Sequence, residues 1–97
     1  MNCRTYVLSF DVADDRRRAK LSKYLASKGQ RVQWSVFEIL ATAEGIAEIV
    51  RGATEERRFD EVEDSLRCYA LCGACQGEVE VHGRGLAPNV PGRPLVV

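Results

Sequence analysis

Tyr6-Val7-Leu8-Ser9-Phe10-Asp11-Val12 is the stretch from which the fold can be read. Tyr6, Leu8, Phe10 and Val12 alternate with Val7, Ser9 and Asp11, and side chains on a strand alternate faces with a period of two. The stretch therefore predicts a strand with both faces largely buried. Asp11 is the anomaly. A carboxylate is costly to bury without a partner, and this one closes the strand just before a helix start signal at Asp14. Ligands in open α/β sheets bind at that edge. Asp11 is thus the leading candidate for a catalytic or metal-holding group. The plainer alternative is a strand-end carboxylate in water or capping the loop.

Outward from this strand, a helix is predicted from about Asp14 to Lys28. Asp14 or Asp15 can accept from the free N–H groups of its first turn, and Gly29 is a natural left-handed stop. Leu21, Tyr24 and Leu25 form its buried seam, with Arg17 and Lys28 beside them. Arg16, Arg18, Lys20 and Lys23 project outward. Residues 31–41 read as a strand too long for one piece, so a bend near Ser35-Val36 divides it in two. Trp34 and Phe37 could stack on bases, but on strands they are expected mainly as core. Thr42 caps a second helix whose Ile46, Ile49, Val50 and Ala53 lie on one face; it is expected to end near Arg57, where basic groups suit the negative end of the macrodipole. An acidic loop (Asp60, Glu61, Glu63, Asp64) leads to a strand over 65–72, a turn over 73–77 and an alternating strand over 78–82. Residues 83–97 carry three prolines and read as an extended tail.

The order β-α-β(β)-α-β-β in 97 residues is that of one α+β domain, a ferredoxin-like split βαβ sandwich with an extra C-terminal strand. The domain is expected over residues 1–82, with the tail over 83–97. A chain this short buries somewhat over about 60% of its unfolded surface, so a homodimer would add stability. No apolar run approaches the roughly 18 residues of a membrane span. Met1-Asn2-Cys3-Arg4 does not open like a signal peptide, and the expected location is cytoplasmic. Net charge is zero, but residues 1–31 hold eight Lys/Arg against three Asp, a net +5, and the remainder carries −5. A basic half suggests an anionic partner. The run Arg16-Arg17-Arg18 lies just beyond Asp11 and suits phosphate contacts; solvated surface charge is the alternative. A single carboxylate is a thin Mg²⁺ site. A twofold axis beside the strand would bring a second Asp11 and make a pair able to support phosphodiester hydrolysis. Cys72-Gly-Ala-Cys75 is a CxxC that matches no zinc-finger spacing; strand and turn packing is its expected role, with metal or redox function the alternative. His82 has no nucleophile partner.

Phe10-Asp11-Val12-Ala13-Asp14-Asp15-Arg16-Arg17-Arg18-Ala19-Lys20-Leu21 resembles the opening of the CRISPR-associated Cas-two family: an aromatic-Asp pair closing strand one, then an Asp-Asp-x-x-Arg helix start. Gly29-Gln30-Arg31-Val32-Gln33-Trp34-Ser35-Val36-Phe37-Glu38 is similar to its second signature, a Gly followed by V-Q-x-S-V-F-E. Phe10 stands where many members have Tyr, and Ile39 where Gly is common. The match is close over residues 6–41. It implies a ferredoxin-like homodimer that bridges dimers of the integrase Cas-one during spacer acquisition. It also implies, for several members, a Mg²⁺-dependent endonuclease acting on RNA or double-stranded DNA. The position matching Asp11 is the family's metal ligand, paired across the twofold axis. Positions matching Arg18, Arg31 and Phe37 serve nucleic-acid contact or active-site support. The family's last strand swaps onto the partner subunit, a role open here to Glu78–His82 or Pro94–Val97. Two readings follow: an endonuclease using Asp11 from both subunits, or a non-catalytic adaptor that binds DNA and integrase.

Overall fold

The structure, a computed structural model, describes residues 2–83. Four strands form one antiparallel sheet in the order β2-β3-β1-β4. In chain order the elements are β1 (Arg4–Asp11), α1 (Asp15–Ala26), β2 (Gln30–Gln33), β3 (Val36–Ala41), α2 (Ala43–Ala53), β4 (Ser65–Ala70) and a short α3 (Gly73–Gly77). This is the ferredoxin-like split βαβ, with β1 paired on both sides.

The core lies between the sheet and the first two helices. Tyr6, Leu8 and Phe10 on β1 and Phe37 and Ile39 on β3 meet Leu21 and Leu25 of α1 and Ile46 and Ala53 of α2. Each fully buried aliphatic or aromatic side chain here contributes about 1.5–3 kcal/mol relative to exposure. Thr42 caps α2 as expected, its hydroxyl accepting from Gly45 N–H at 3.0 Å. The predicted bend is a turn at residues 34–35. Beside it the β2–β3 register shifts between Arg31 and Gln33, and such a bulge re-aims the side chains around it.

Four expectations are corrected. Gly29 is not a left-handed stop, since the only positive φ among the described residues is at Gly83. Gly29 is needed because a Cβ there would strike the Glu38 carbonyl oxygen and the Ile39 side chain. The second helix ends at Ala53, before Arg57, because Thr54 closes it with its own N–H and hydroxyl on Val50 O. Arg58 reaches back to Gly52 O at 2.7 Å, capping a last-turn carbonyl. Residues 73–77 form a helical turn rather than a plain one. Residues 78–82 pair with no strand among the described residues; instead residues 79–82 border a cavity with Val32, Gln33, Val36 and Glu38. Val36 and Glu38 alternate with the core residues Phe37 and Ile39, so this segment lies over the sheet face turned away from the helices. Of the expected tail, residues 84–97, including Pro94–Val97, lie outside the described residues.

Gly29→Ala tests the close approach of α1's exit to β3. Alanine restricts the unfolded chain and on that account alone stabilises by about 0.4–1 kcal/mol. The clash with a backbone oxygen outweighs that, so a net loss of about 1–3 kcal/mol is expected. Urea unfolding should show a lower midpoint at unchanged slope.

Candidate nucleic-acid and metal site

The site is built where β1 ends. Asp11 is the last residue of β1 and stands opposite Ser65, the first of β4. It is exposed, because the chain leaves the sheet at Val12 to start α1. Asp14 caps that helix, accepting from Arg17 N–H at 2.9 Å, and this hydrogen bond holds its carboxyl below the usual range. Asp15 takes both terminal nitrogens of Arg18, at 2.7 and 2.8 Å, while Arg18 Nε donates to Val12 O at 3.3 Å.

A further carboxylate ties the region together. The Asp64 side chain is 0% exposed. Arg17 approaches it with two nitrogens, Nε at 2.9 Å and Nη2 at 3.2 Å, and the N–H groups of Ala13 and Asp60 donate at 2.9 Å each. The guanidinium above all, then the two N–H groups, hold its pKa down to about 2 against the opposing cost of burial. The loop between Asp11 and α1 is thereby fixed to the start of β4. Of the four carboxylates around this strand end, Asp14, Asp15 and Asp64 are committed to protein partners. The Asp11 carboxylate forms no hydrogen bond or ion pair with another described residue.

On the other side of β1, Phe10 N–H donates to Ser35 O at 3.1 Å, so the β2–β3 turn abuts the strand one residue before Asp11. Trp34 in that turn is 75% exposed. The Arg31 guanidinium lies 4.9 Å from the Trp34 ring centre and 5.4 Å from that of Phe37. Phe37 in turn stacks on Phe10, centroids 6.2 Å apart. Phe37 is wholly buried, so its part is to support Arg31 from beneath. Arg31 and Phe37 are thus brought into one cluster and Arg16 is exposed, whereas Arg17 and Arg18 are committed to Asp64 and Asp15. On the outer helical face, Lys20, Lys23, Tyr24, Ser27, Arg57 and Arg58 line a cationic groove. Arg57 and Arg58 pair with Glu55.

Sequence reasoning missed two residues. Asp64 read as one acid in a wet loop, and nothing local marks it, since its partners lie 47 and 51 residues away. Trp34 read as core; its place beside the expected bend was the available signal that it faces solvent. Among the described residues of one chain, no three His, Cys, Asp or Glu side chains are grouped to hold a metal. Cys72 and Cys75 are exposed free thiols, which corrects their expected packing role.

Comparison with known proteins converges on one family. The model for CRISPR associated protein Cas2 matches residues 4–79. The CRISPR-associated endoribonuclease Cas2 3 of Synechocystis sp. is 36% identical over 91 residues, covering 94% of this chain and 97% of the relative. The crystal structure of Streptococcus pyogenes Cas2 at pH 6.5 superposes with a TM-score of 0.69 at 32% identity, covering 81% of this chain and 99% of that one. A chain of a partial Cas6-RT-Cas1–Cas2 complex gives a TM-score of 0.55 at 29% identity, covering 80% and 89%.

The Asp64 clamp has a pH signature. Its folded pKa lies below its unfolded value of 3.8. Its contribution is therefore complete above about pH 4 and is lost as pH falls toward about 2. Arg17→Ala leaves the buried carboxylate uncompensated and should cost roughly 3–5 kcal/mol at neutral pH. Without the guanidinium the folded pKa rises, so in acid titrations followed by circular dichroism the variant should unfold at higher pH than wild type.

Proposed function

The chain belongs to the CRISPR-associated Cas2 family, and from that premise we propose that it acts in spacer acquisition as a homodimer. In this reading it bridges a Cas-one-type integrase and cleaves RNA or double-stranded DNA with Mg²⁺ held by Asp11 of both subunits. The observation that carries the catalytic part is the uncommitted Asp11 carboxylate. It is exposed at the end of a strand paired on both sides, while every neighbouring acid is already bound by arginine or backbone. Mg²⁺ takes one or two carboxylates and keeps several waters, so one Asp11 per subunit fits half of such a site and the symmetry mate supplies the rest. When bound, the ion would lower the pKa of a coordinated water and offset charge on a phosphoryl oxygen. Arg31, held flat by Trp34 and Phe37, presents a fixed guanidinium to phosphate. The open face of Trp34 offers an unpaired base a surface to stack on. Arg16 adds positive charge at the start of α1.

The adaptor reading is favoured by a different observation: a single chain gathers no three metal-ligating side chains among its described residues, while its cationic groove lies on the helical face. Asp11→Asn separates the two. The test is cleavage of labelled double-stranded DNA and single-stranded RNA with Mg²⁺ or EDTA, using proteins shown by light scattering to be dimers. The expected result is Mg²⁺-dependent cutting by wild type and a loss of at least about a hundredfold in the variant, the usual scale for removing a catalytic group. No cutting by either protein under any condition would hand the function to the adaptor reading.

The groove makes a separate prediction. Lys20→Glu with Lys23→Glu should weaken DNA binding in either reading. Each lost phosphate contact removes about one unit from the slope of log K against log salt. Fluorescence anisotropy over a salt series should therefore show a slope shallower by about two.

A further inference from the structure

Cys72 and Cys75 take no part in the site at Asp11. Leu71 N–H donates to Thr5 O, which puts the following α3 at the Thr5 end of β1, about 20 Å from its Asp11 end at the rise of a strand. Cys72 is the N-cap of α3, and its sulfur accepts from Cys75 N–H at 3.2 Å. The two residues share one turn of α3 and both thiols are exposed. Their environments differ. The Cys75 thiol and N–H stabilise a thiolate on Cys72 and hold its pKa below the ordinary thiol value. Facing that sulfur pushes the Cys75 thiol up. Two exposed thiols three residues apart on one helical turn, one of them accepting an N–H at its sulfur, form an arrangement suited to thiol–disulfide exchange. Gln76 in the same turn is buried, and its N–H donates to Cys72 O at 2.9 Å.

We propose that Cys72 and Cys75 are a reversible dithiol–disulfide pair that exchanges with small-molecule disulfides, Cys72 attacking and Cys75 resolving. The Cys72 thiolate attacks one sulfur of a disulfide RSSR, forming a mixed disulfide and releasing RS⁻, which takes up the proton lost from Cys72. Cys75, losing its proton, attacks the Cys72 sulfur and expels the second RS⁻, which takes up that proton. The pair loses two electrons and two protons, and RSSR becomes two RSH. In a reducing compartment such a pair works as a transient couple rather than a permanent staple.

The test uses the full chain with Cys3→Ser and Cys68→Ser, so that only the pair remains. Reduced protein is mixed with oxidised glutathione and followed by intact-mass spectrometry. The pair-only protein should lose two hydrogens without accumulating an adduct, and dithiothreitol should restore it. Adding Cys75→Ser should trap one glutathione on Cys72, whose sulfur keeps the N–H of position 75. Adding Cys72→Ser instead should slow adduct formation, since it removes the sulfur that accepts that N–H. Equal rates in the two single-thiol proteins would overturn the assignment of roles. A stable mixed disulfide in the pair-only protein would overturn the pair itself. Neither result depends on nuclease activity or on DNA binding.

Discussion

One buried carboxylate holds the functional end of this fold in shape. Asp64 accepts from Arg17 of α1, from the N–H of Ala13 after β1 and from the N–H of Asp60 in its own loop. A shielded charge is tolerable only when its lone pairs are filled and an opposite charge is close, and here both conditions are met. The interaction joins three pieces of chain: the end of β1, the start of α1 and the start of β4. The rest of the arrangement follows. With Arg17 drawn to Asp64, Asp14 is free to cap the helix; with Arg18 drawn to Asp15, the remaining carboxylate at the strand end is Asp11. Its availability is therefore a consequence of the order in which its neighbours are satisfied.

The sheet is covered unevenly. α1 and α2 lie over β2, β3 and β1, whose core residues are almost fully shielded. β4 is an edge strand on which Cys68, Tyr69 and Ala70 are exposed, and β2 is the other edge. Unpaired edges are ready to add strands. Alternation in Glu78–His82 satisfies the face requirement of a strand but does not supply a strand to pair with, and the segment forms no strand among the described residues. That is a physical reason for a subunit of this size to gain from a second copy.

This also explains what the sequence could and could not disclose. β1, the start of α1, the split near Ser35, Thr42 as a cap and the apolar face of α2 rest on signals within a few residues, and all were legible. Asp64 was not, because its meaning comes from an arginine and an amide 47 and 51 residues away. The end of α2 was misplaced for a related reason: Arg57 and Arg58 suit a helix terminus by charge, but Arg58 serves Gly52 by folding back after the helix has stopped. Within the site, Asp11 was legible as a strand-end anomaly. The division of labour among Arg16, Arg17 and Arg18 was not, since Arg17 is set apart only by its distant partner Asp64.

The charge asymmetry must accordingly be recounted after folding. Of the net +5 in residues 1–31, Arg17 is spent against Asp64 and Arg18 against Asp15. Neither offers a free charge to a partner. What remains outward in this half is Arg4, Arg16, Lys20, Lys23, Lys28 and Arg31, with Lys20 and Lys23 lining a groove beside Arg57 and Arg58, which share Glu55. The acidic half loses reach in the same way: Asp64 is internal, and Asp60 accepts from the N–H groups of Val62 and Glu63. Screening confines exposed charges to about 8–10 Å at physiological salt. A polyanion lying along the helices therefore meets the local cationic groove, not the molecule's net charge of zero. Neutrality of the whole chain is thus no obstacle to an anionic partner, which meets local charge and not the net sum.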